Sequence, residues 1–305
     1  MSDIILHHYW LSPFAEKVRI GLGLKGAAWK SVEIPNVMPK PDLMPLTGGY
    51  RKTPVLQIGA DIFCDTQLIM LELERRLPTP AFLPRGREGE ARAITMWIDR
   101  LIFGPAVGVV MSQVADKFGE DFKKDRSEFS GRSFDPAKLK AALPIVRDQT
   151  YALLSLAEQM LGDGRKYAMG AEPSLADCAL YNPVWFINRH LGAAAGPLDR
   201  LPRIAAWFER MKAIGNGQRS DMKPADALAA AKASKPAPAS VDPNDPSGLK
   251  PGQKLTVTPD DTGRVPVAGT LVGLTPDRIS LARSDERAGD VVVHFPRAGF
   301  FVAAA

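Results

Sequence analysis

The stretch KTPVLQIGADIFCDT, residues 52–66, decides the fold. It reads as two short strands, residues 54–58 and 61–63, joined as a hairpin at Gly59-Ala60. Pro54 has no N–H to give a ladder, so it suits the start of a strand. Asp65-Thr66 then opens a helix over residues 66–77, with Leu68, Ile69, Leu71, Leu73 and Leu77 recurring at helical spacing. Upstream, residues 29–34 form another strand. Residues 13–25 form a helix with Phe14, Val18, Leu22 and Leu24 near one face, Ser12-Pro13 as its cap and first residue, and Gly26 as its stop. Residues 3–8 are a short apolar run and read as the first strand. The order is β-α-β, then hairpin, then helix. A short mixed sheet with helices on its faces is the economical packing.

Downstream, Leu77-Pro78-Thr79-Pro80 ends this unit. Residues 88 to about 215 carry helical patterns: 91–103, broken at Gly104-Pro105, then 137–161, 174–191 and 204–214, with the polar segment 116–134 read as containing a loop. Residues 221–246 are rich in Ala, Pro, Asp and Lys and read as an extended linker with a frayed helix at its start. From residue 248 the period becomes two: Leu255 and Val257, Val265 and Val267, Ile279 and Leu281, then the continuous runs 291–295 and 300–302. About five short strands suggest a small barrel, SH3-like or OB-like. The expected organisation is therefore an α/β domain over 1–80, an all-helical domain over 88–220, a linker over 221–246 and a small β domain over 247–305.

Composition bounds the function. The 305 residues are 45% hydrophobic and 24% charged, as in an ordinary globular protein. The net charge of +5 is spread along the chain, without the basic stripe and aromatic platforms that nucleic acids require. Two cysteines, Cys64 and Cys178, exclude a disulfide framework and suit a reducing compartment. The four histidines show no ligand spacing, so no metal is expected. No apolar stretch reads as a membrane span, and the N-terminus lacks a leader pattern, so a cytoplasmic location is expected.

Four segments, YWLSPFAEKVRIGLGLK (9–25), KTPVL (52–56), CDTQLIMLELE (64–74) and EPSLADCAL (172–180), together resemble the cytosolic glutathione transferase superfamily. The resemblance covers roughly residues 3–215 and leaves the last ninety outside it. It implies a thioredoxin-like glutathione-binding domain followed by an all-helical domain, a homodimer, and conjugation of glutathione to a small electrophile. The alternative is a non-catalytic scaffold that recruits a protein partner through the β domain. Neither nucleic acid nor membrane is an expected partner.

The resemblance also assigns residues. Ser12-Pro13-Phe14-Ala15 is similar to the omega-type Cys-Pro-Phe-Ala with Ser in place of Cys, which makes Ser12 the expected thiolate stabiliser and places Phe14 at the ligand. A thiol has a pKa of about 8.5, and a hydroxyl donor at a helix N-terminus favours its anion. Tyr9, at the end of the first strand, is the rival. Thr53-Pro54 matches the cis-proline segment whose preceding residue pairs with the extended peptide. Asp65 and Thr66 match the pair that holds the zwitterionic γ-glutamyl end. The glycyl carboxylate needs a cation, and Lys40, Arg51 and Lys52 lie in the loop before Pro54; Lys40, in a Lys-Pro-Asp that resembles the omega-type Lys-Pro-Glu, is the preferred partner. Ser174-Leu-Ala-Asp177 is a capping box with a structural role. Trp97, Arg100, Phe103 and Met111 are candidates for the electrophile pocket. The β domain is expected to be dispensable for glutathione binding, because every assigned ligand precedes residue 70.

Overall fold

Residues 3–192 and 196–305 are described by the computed structural model of the chain. The first eighty residues run β1 (Ile5–His8), α1 (Pro13–Leu24), β2 (Ala28–Glu33), α2 (Met44–Thr47), β3 (Val55–Ile58), β4 (Asp61–Cys64) and α3 (Thr66–Arg76). β1 pairs in parallel with β2 and antiparallel with β3, and β3 pairs antiparallel with β4. This is the thioredoxin-like arrangement. Successive side chains point to opposite faces of a strand. Leu6, Leu56 and Phe63 therefore join Val18 and Leu22 of α1 and Leu73 of α3 in one core, while Ile5, Val55 and Ile62 join a second.

The helical part runs α4 (Glu88–Trp97), α5 (Phe103–Val114), α6 (Glu120–Ser130), α7 (Pro136–Ala141), α8 (Leu143–Met160), α9 (Leu175–Leu191) and α10 (Pro202–Lys212). A π-turn, Ile98–Ile102, separates α4 from α5, so the break falls before Gly104-Pro105 rather than at it. Contrary to expectation, residues 88–117 are long and apolar enough to cross a bilayer by composition. Here they pack against α8 and α9 in the first core. The polar segment 116–134, read as loop-bearing, holds α6. The aromatic rings of Phe118 and Phe122 stack at 4.2 Å beneath its otherwise polar surface. The expected helix 137–161 is two helices, with Pro144 in the first turn of the second.

The C-terminal part departs most from expectation. β5 (Gln218–Asp221) adds in parallel to β2, and α11 (Pro224–Lys232) follows at the start of the expected linker, where a frayed helix was read and a packed one stands. α11 buries Ala227, Leu228 and Ala231, small residues that let a helix pack closely yet read as weakly apolar. β6 (Lys254–Pro259), β7 (Val267–Leu274), β8 (Arg278–Asp285) and β9 (Gly289–Pro296) form a meander, and β10 (Phe300–Ala304) returns to pair with β6. These are the five short strands expected. They do not stand apart, however. β9 pairs in parallel with β4, Asp61 opposite Val292 and Phe63 opposite His294, making one sheet of order β10-β6-β7-β8-β9-β4-β3-β1-β2-β5. Ile5, Tyr50, Val55, Ile62 and α11 share the second core with Leu281, Val293 and Phe295.

A buried polar chain crosses the junction. His294 Nε2 is 2.9 Å from Asp61 Oδ1, its Nδ1 is 2.8 Å from Ser280 Oγ, and the Ala237 N–H donates to Asp61 Oδ2 at 2.9 Å. Burial pushes the His294 pKa down, against the pull of Asp61, and favours the neutral ring. The β strands and the thioredoxin-like strands thus satisfy each other's buried polar groups as well as covering each other's apolar ones.

Candidate glutathione site

The head of α1 is tightly specified. Ser12 Oγ accepts the Ala15 N–H at 3.2 Å, which leaves the hydroxyl proton free to donate. The Ser12 N–H in turn donates to Tyr9 O at 3.1 Å. Arg19, buried in α1, clamps this turn: its guanidinium donates to Trp10 O at 3.0 Å and His8 Nδ1 at 3.0 Å and pairs with Glu16 at 2.6 Å. Tyr9 lies against Ser12 and within 3.5 Å of an Arg126 nitrogen. Burial raises the Tyr9 phenol pKa, while Arg126 and the Ser12 hydroxyl oppose the rise. The phenol is therefore a donor at neutral pH. The two rivals for thiolate stabilisation stand side by side, and Phe14 packs on Phe103 at 4.3 Å nearby.

Thr53 lies between the two helix heads. The Thr53–Pro54 bond is cis. Among the described residues neither the Thr53 N–H nor its C=O bonds to another backbone group, which leaves a short unpaired edge just before β3. Lys40 is not a solvated side chain. Its ammonium is buried, donating to Arg51 O at 2.9 Å and Thr53 Oγ1 at 3.0 Å. Burial, then Arg126 and Arg51, lower its pKa to about 7. α6 is fastened over this corner through Asp125, which accepts the Met38 N–H at 2.8 Å and pairs with Arg51 and Arg126.

At the head of α3, Asp65 has φ 70° and ψ 139°, the one positive φ outside glycine among the described residues. Such a backbone costs on the order of 1–3 kcal/mol and persists where the surroundings enforce it. The Asp65 carboxylate accepts the Gln67 N–H at 2.9 Å. Thr66 Oγ1 accepts from Lys17 Nζ at 3.1 Å, so the hydroxyl proton is free for an anion at the helix N-terminus. Lys17, fully buried, also pairs with Asp99 Oδ2 at 2.5 Å. Asp99 Oδ1 is buried with no hydrogen-bond partner among the described residues. Burial pushes the Asp99 carboxyl pKa up, with Lys17 holding it back. Asp99 sits in the π-turn, a helix irregularity frequent at functional sites.

Two family models match the chain: glutathione S-transferase, N-terminal domain, over residues 6–81, and glutathione S-transferase, C-terminal domain, over residues 95–210. A solved GST-like protein from Pseudomonas syringae is 38% identical across the full length of both chains, with a TM-score of 0.83. The chain belongs to the glutathione S-transferase superfamily. A maleylpyruvate isomerase from Ralstonia sp. is 26% identical over 66% of this chain and 95% of its own. A Tau class glutathione S-transferase from mango, Mangifera indica, shares the fold at 18% identity and a TM-score of 0.54, over 71% of this chain and 94% of its own.

Within the glutathione S-transferase frame, Ser12, Tyr9 and Phe14 lie at one helix head, Asp65 and Thr66 at another, and Thr53 between. Lys40 reaches Thr53 but spends its ammonium on the chain itself. Trp97 and Met111 pack against the helical core rather than standing free. Arg100 turns toward Asp65 and pairs with Asp260 of the C-terminal strands at 2.8 Å. Lys17, Asp99 and Arg126 escape a motif search. The available signal for Lys17 is its place in α1 beside Glu16 and Arg19, three charged residues all on buried positions. A buried charge has a partner elsewhere. The pocket at Asp65, Thr66 and Asp99 is also lined by Asp261, Gly299 and Phe300, so the expected independence of the β strands from the site does not hold in the geometry.

Proposed function

We propose that the chain is a glutathione-dependent enzyme that binds the tripeptide along Thr53, lowers the pKa of its thiol and adds the thiolate to a small electrophile. The observation that carries this reading is an unpaired strand edge set between a hydroxyl pair and a receptor for a zwitterion. The cysteinyl backbone pairs with Thr53 as an added strand. The γ-glutamyl carboxylate meets the α3 N-terminus and the Thr66 hydroxyl, and its ammonium meets Asp65. The thiolate sulfur accepts a hydrogen bond from Ser12.

Substitution separates the two hydroxyls. Ser12→Ala is expected to slow conjugation to a generic electrophile by about 10–100-fold with little change in glutathione affinity, less than the 100–1,000-fold of strong oxyanion donors because charge on sulfur is diffuse. Ser12→Cys is expected to gain thiol-transferase activity. A fully active Ser12→Ala beside an inactive Tyr9→Phe would transfer the role to Tyr9. Full activity in both would leave the non-catalytic scaffold reading standing.

A cationic corner favours a second reading of the chemistry. Lys40 and Arg126 flank Tyr9, and Arg51 acts on Lys40, with Asp125 offsetting part of this charge. They suit an anionic second substrate, and the Ralstonia relative is named as an isomerase of a carboxylic acid. Glutathione-assisted isomerisation of an unsaturated dicarboxylic acid is therefore the alternative activity. Assaying the two reactions side by side decides between them.

Lys40 gives the proposed site a pH dependence. A glycyl carboxylate beside it would favour the charged amine, so binding draws a proton from solution when Lys40 is partly neutral. With a free-state pKa of about 7, affinity is full below pH 7 and declines as pH rises through it. The expected loss is roughly tenfold between pH 6 and 8, the scale of one charge-assisted hydrogen bond. Calorimetry with S-methylglutathione, whose sulfur has no proton to lose, in buffers of different ionisation enthalpy reads the proton uptake, and Lys40→Met should abolish it. Equal heats in both buffers for the wild type would remove Lys40 from the site.

Two free, buried cysteines support the cytoplasmic part of this reading. A homodimer also belongs to it. With β4 already paired to β9, its interface would use other surfaces than that strand edge.

A further inference from the structure

The C-terminal strands reach the head of α3 through two loops. The loop after β6 brings Asp260 and Asp261, and the turn before β10 brings Gly299. Asp260 pairs with Arg100 of the π-turn at 2.8 Å, and Asp261 pairs with Lys52, next to Thr53. Gly299 has φ 88°, and a Cβ there would overlap the Arg100 guanidinium, so the close approach requires glycine. Phe300 packs inward against Tyr50, with ring centroids 6.4 Å apart. The loop after β6 is also tied to α6, since the Gly263 N–H donates to Phe129 O at 2.8 Å. Contacts from three separate segments therefore fix one acidic loop over the pocket.

The pocket this loop closes has three carboxylates on its wall, Asp65, Asp99 and Asp261, and two cations, Lys52 and Arg100. Asp99 Oδ1 lacks a hydrogen-bond partner among the described residues. Lys52 is the ion-pair partner of Asp261, with the Arg100 charge acting on that carboxylate from further off, and Lys52 reaches in from the segment that the tripeptide would line. The enclosed space is about 40 Å³, room for a few water molecules, and it opens to solvent. A γ-glutamyl end seated there meets the Lys52–Asp261 pair.

We propose that Asp261 is a specificity-determining residue of the glutathione site, supplied by the C-terminal strands of the same chain, and that it selects ligands bearing a free α-ammonium. The inference rests on the glutathione-binding reading above. On binding, the ligand's ammonium replaces that of Lys52 on Asp261, and the freed Lys52 turns to a ligand carboxylate. Charge is conserved in the exchange, so no carboxylate of the pocket is left without a cation. A ligand of the same shape without the ammonium breaks the Lys52–Asp261 pair and offers Asp261 nothing in return.

The test compares glutathione with glutaryl-cysteinylglycine, which lacks only the ammonium, by calorimetry at pH 7 on the full chain. The wild type is expected to prefer glutathione by about a hundredfold, the scale of two carboxylates, Asp65 and Asp261, each accepting one charge-assisted hydrogen bond from the ammonium. Asp261→Asn is expected to reduce that preference about tenfold, with Asp65 retaining the rest, chiefly by raising the affinity for the glutaryl peptide, which then has no Lys52–Asp261 pair to break. Asp261 is 43% exposed at its side chain, so this substitution leaves the melting temperature in place. An unchanged preference in Asp261→Asn overturns the inference alone. An equal loss of both ligands also overturns it, since that is the mark of a displaced loop rather than a lost acceptor. Absence of glutathione binding by the wild type overturns both this inference and the functional reading on which it rests.

Discussion

A chain shortened to residues 1–246 is expected to aggregate rather than fold as a glutathione-binding protein. Removing β6 to β10 strips β4 of its parallel partner and leaves a sheet edge unpaired. It also opens the second core. Ile5, Tyr50, Val55 and Ile62 would each lose cover, and α11 would lose the strands it packs on. Burying one large apolar side chain is worth about 1.5–3 kcal/mol. Several at once equal the roughly 5–15 kcal/mol by which a typical domain is stable. Asp61 would lose His294, its partner across the junction. Size-exclusion chromatography and circular dichroism of the shortened chain provide the check. A monomer that melts cooperatively would show that the first 246 residues form a self-sufficient unit.

The second large effect is expected at Asp177. Its fully buried carboxylate accepts four hydrogen bonds: from Ala168 N at 2.7 Å, Ser174 N at 2.9 Å, Ser174 Oγ at 2.7 Å and Trp207 Nε1 at 2.9 Å. It thereby ties the start of α9 to α10 and to the turn before it. Burial raises the Asp177 carboxyl pKa and these donors lower it. Asp177→Ala orphans all four donors in the helical core. The expected cost is about 3–5 kcal/mol, as when a buried charged group loses its partner. Asp177→Asn keeps the shape but replaces one acceptor by a donor, so it is expected to cost nearly as much. Denaturant melts of both variants read the effect, and a shift below about 1 kcal/mol would contradict the structural role.

The readable parts of this chain were those with local causes. The hairpin at residues 55–64, the N-caps Ser12 and Asp65 and the capping box at Ser174 each write their geometry into a few consecutive residues. α6 was obscured because its large apolar residues are just Phe122 and Phe129 in a polar stretch, too few to set a helical period. α11 was obscured by alanine, which buries well and signals little. The attachment of β9 to β4 has no local cause at all. Alternating apolar residues look the same in a free barrel and in an extension of another sheet, and the decisive fact is the unpaired edge at Asp61–Phe63. The candidate site divides in the same way. Ser12, Thr53, Asp65 and Thr66 belong to short motifs. Lys17, Asp99 and Asp261 come together only through tertiary packing, and the sole hint to Lys17 is a cluster of charges on the buried side of α1.

The β4–β9 pairing has a consequence for how the chain comes into being. Asp61 meets Val292, which follows 231 residues later (292 − 61). At about 5–20 residues per second, the ribosome needs on the order of 10–50 s to cover that distance. Throughout this interval the nascent N-terminal sheet carries an open edge and a half-covered core, while the helices of residues 88–212 are already free to assemble. Completion waits for a strand made 231 residues later, and until then the open edge needs other cover, for which the chain's own α11 is at hand earlier.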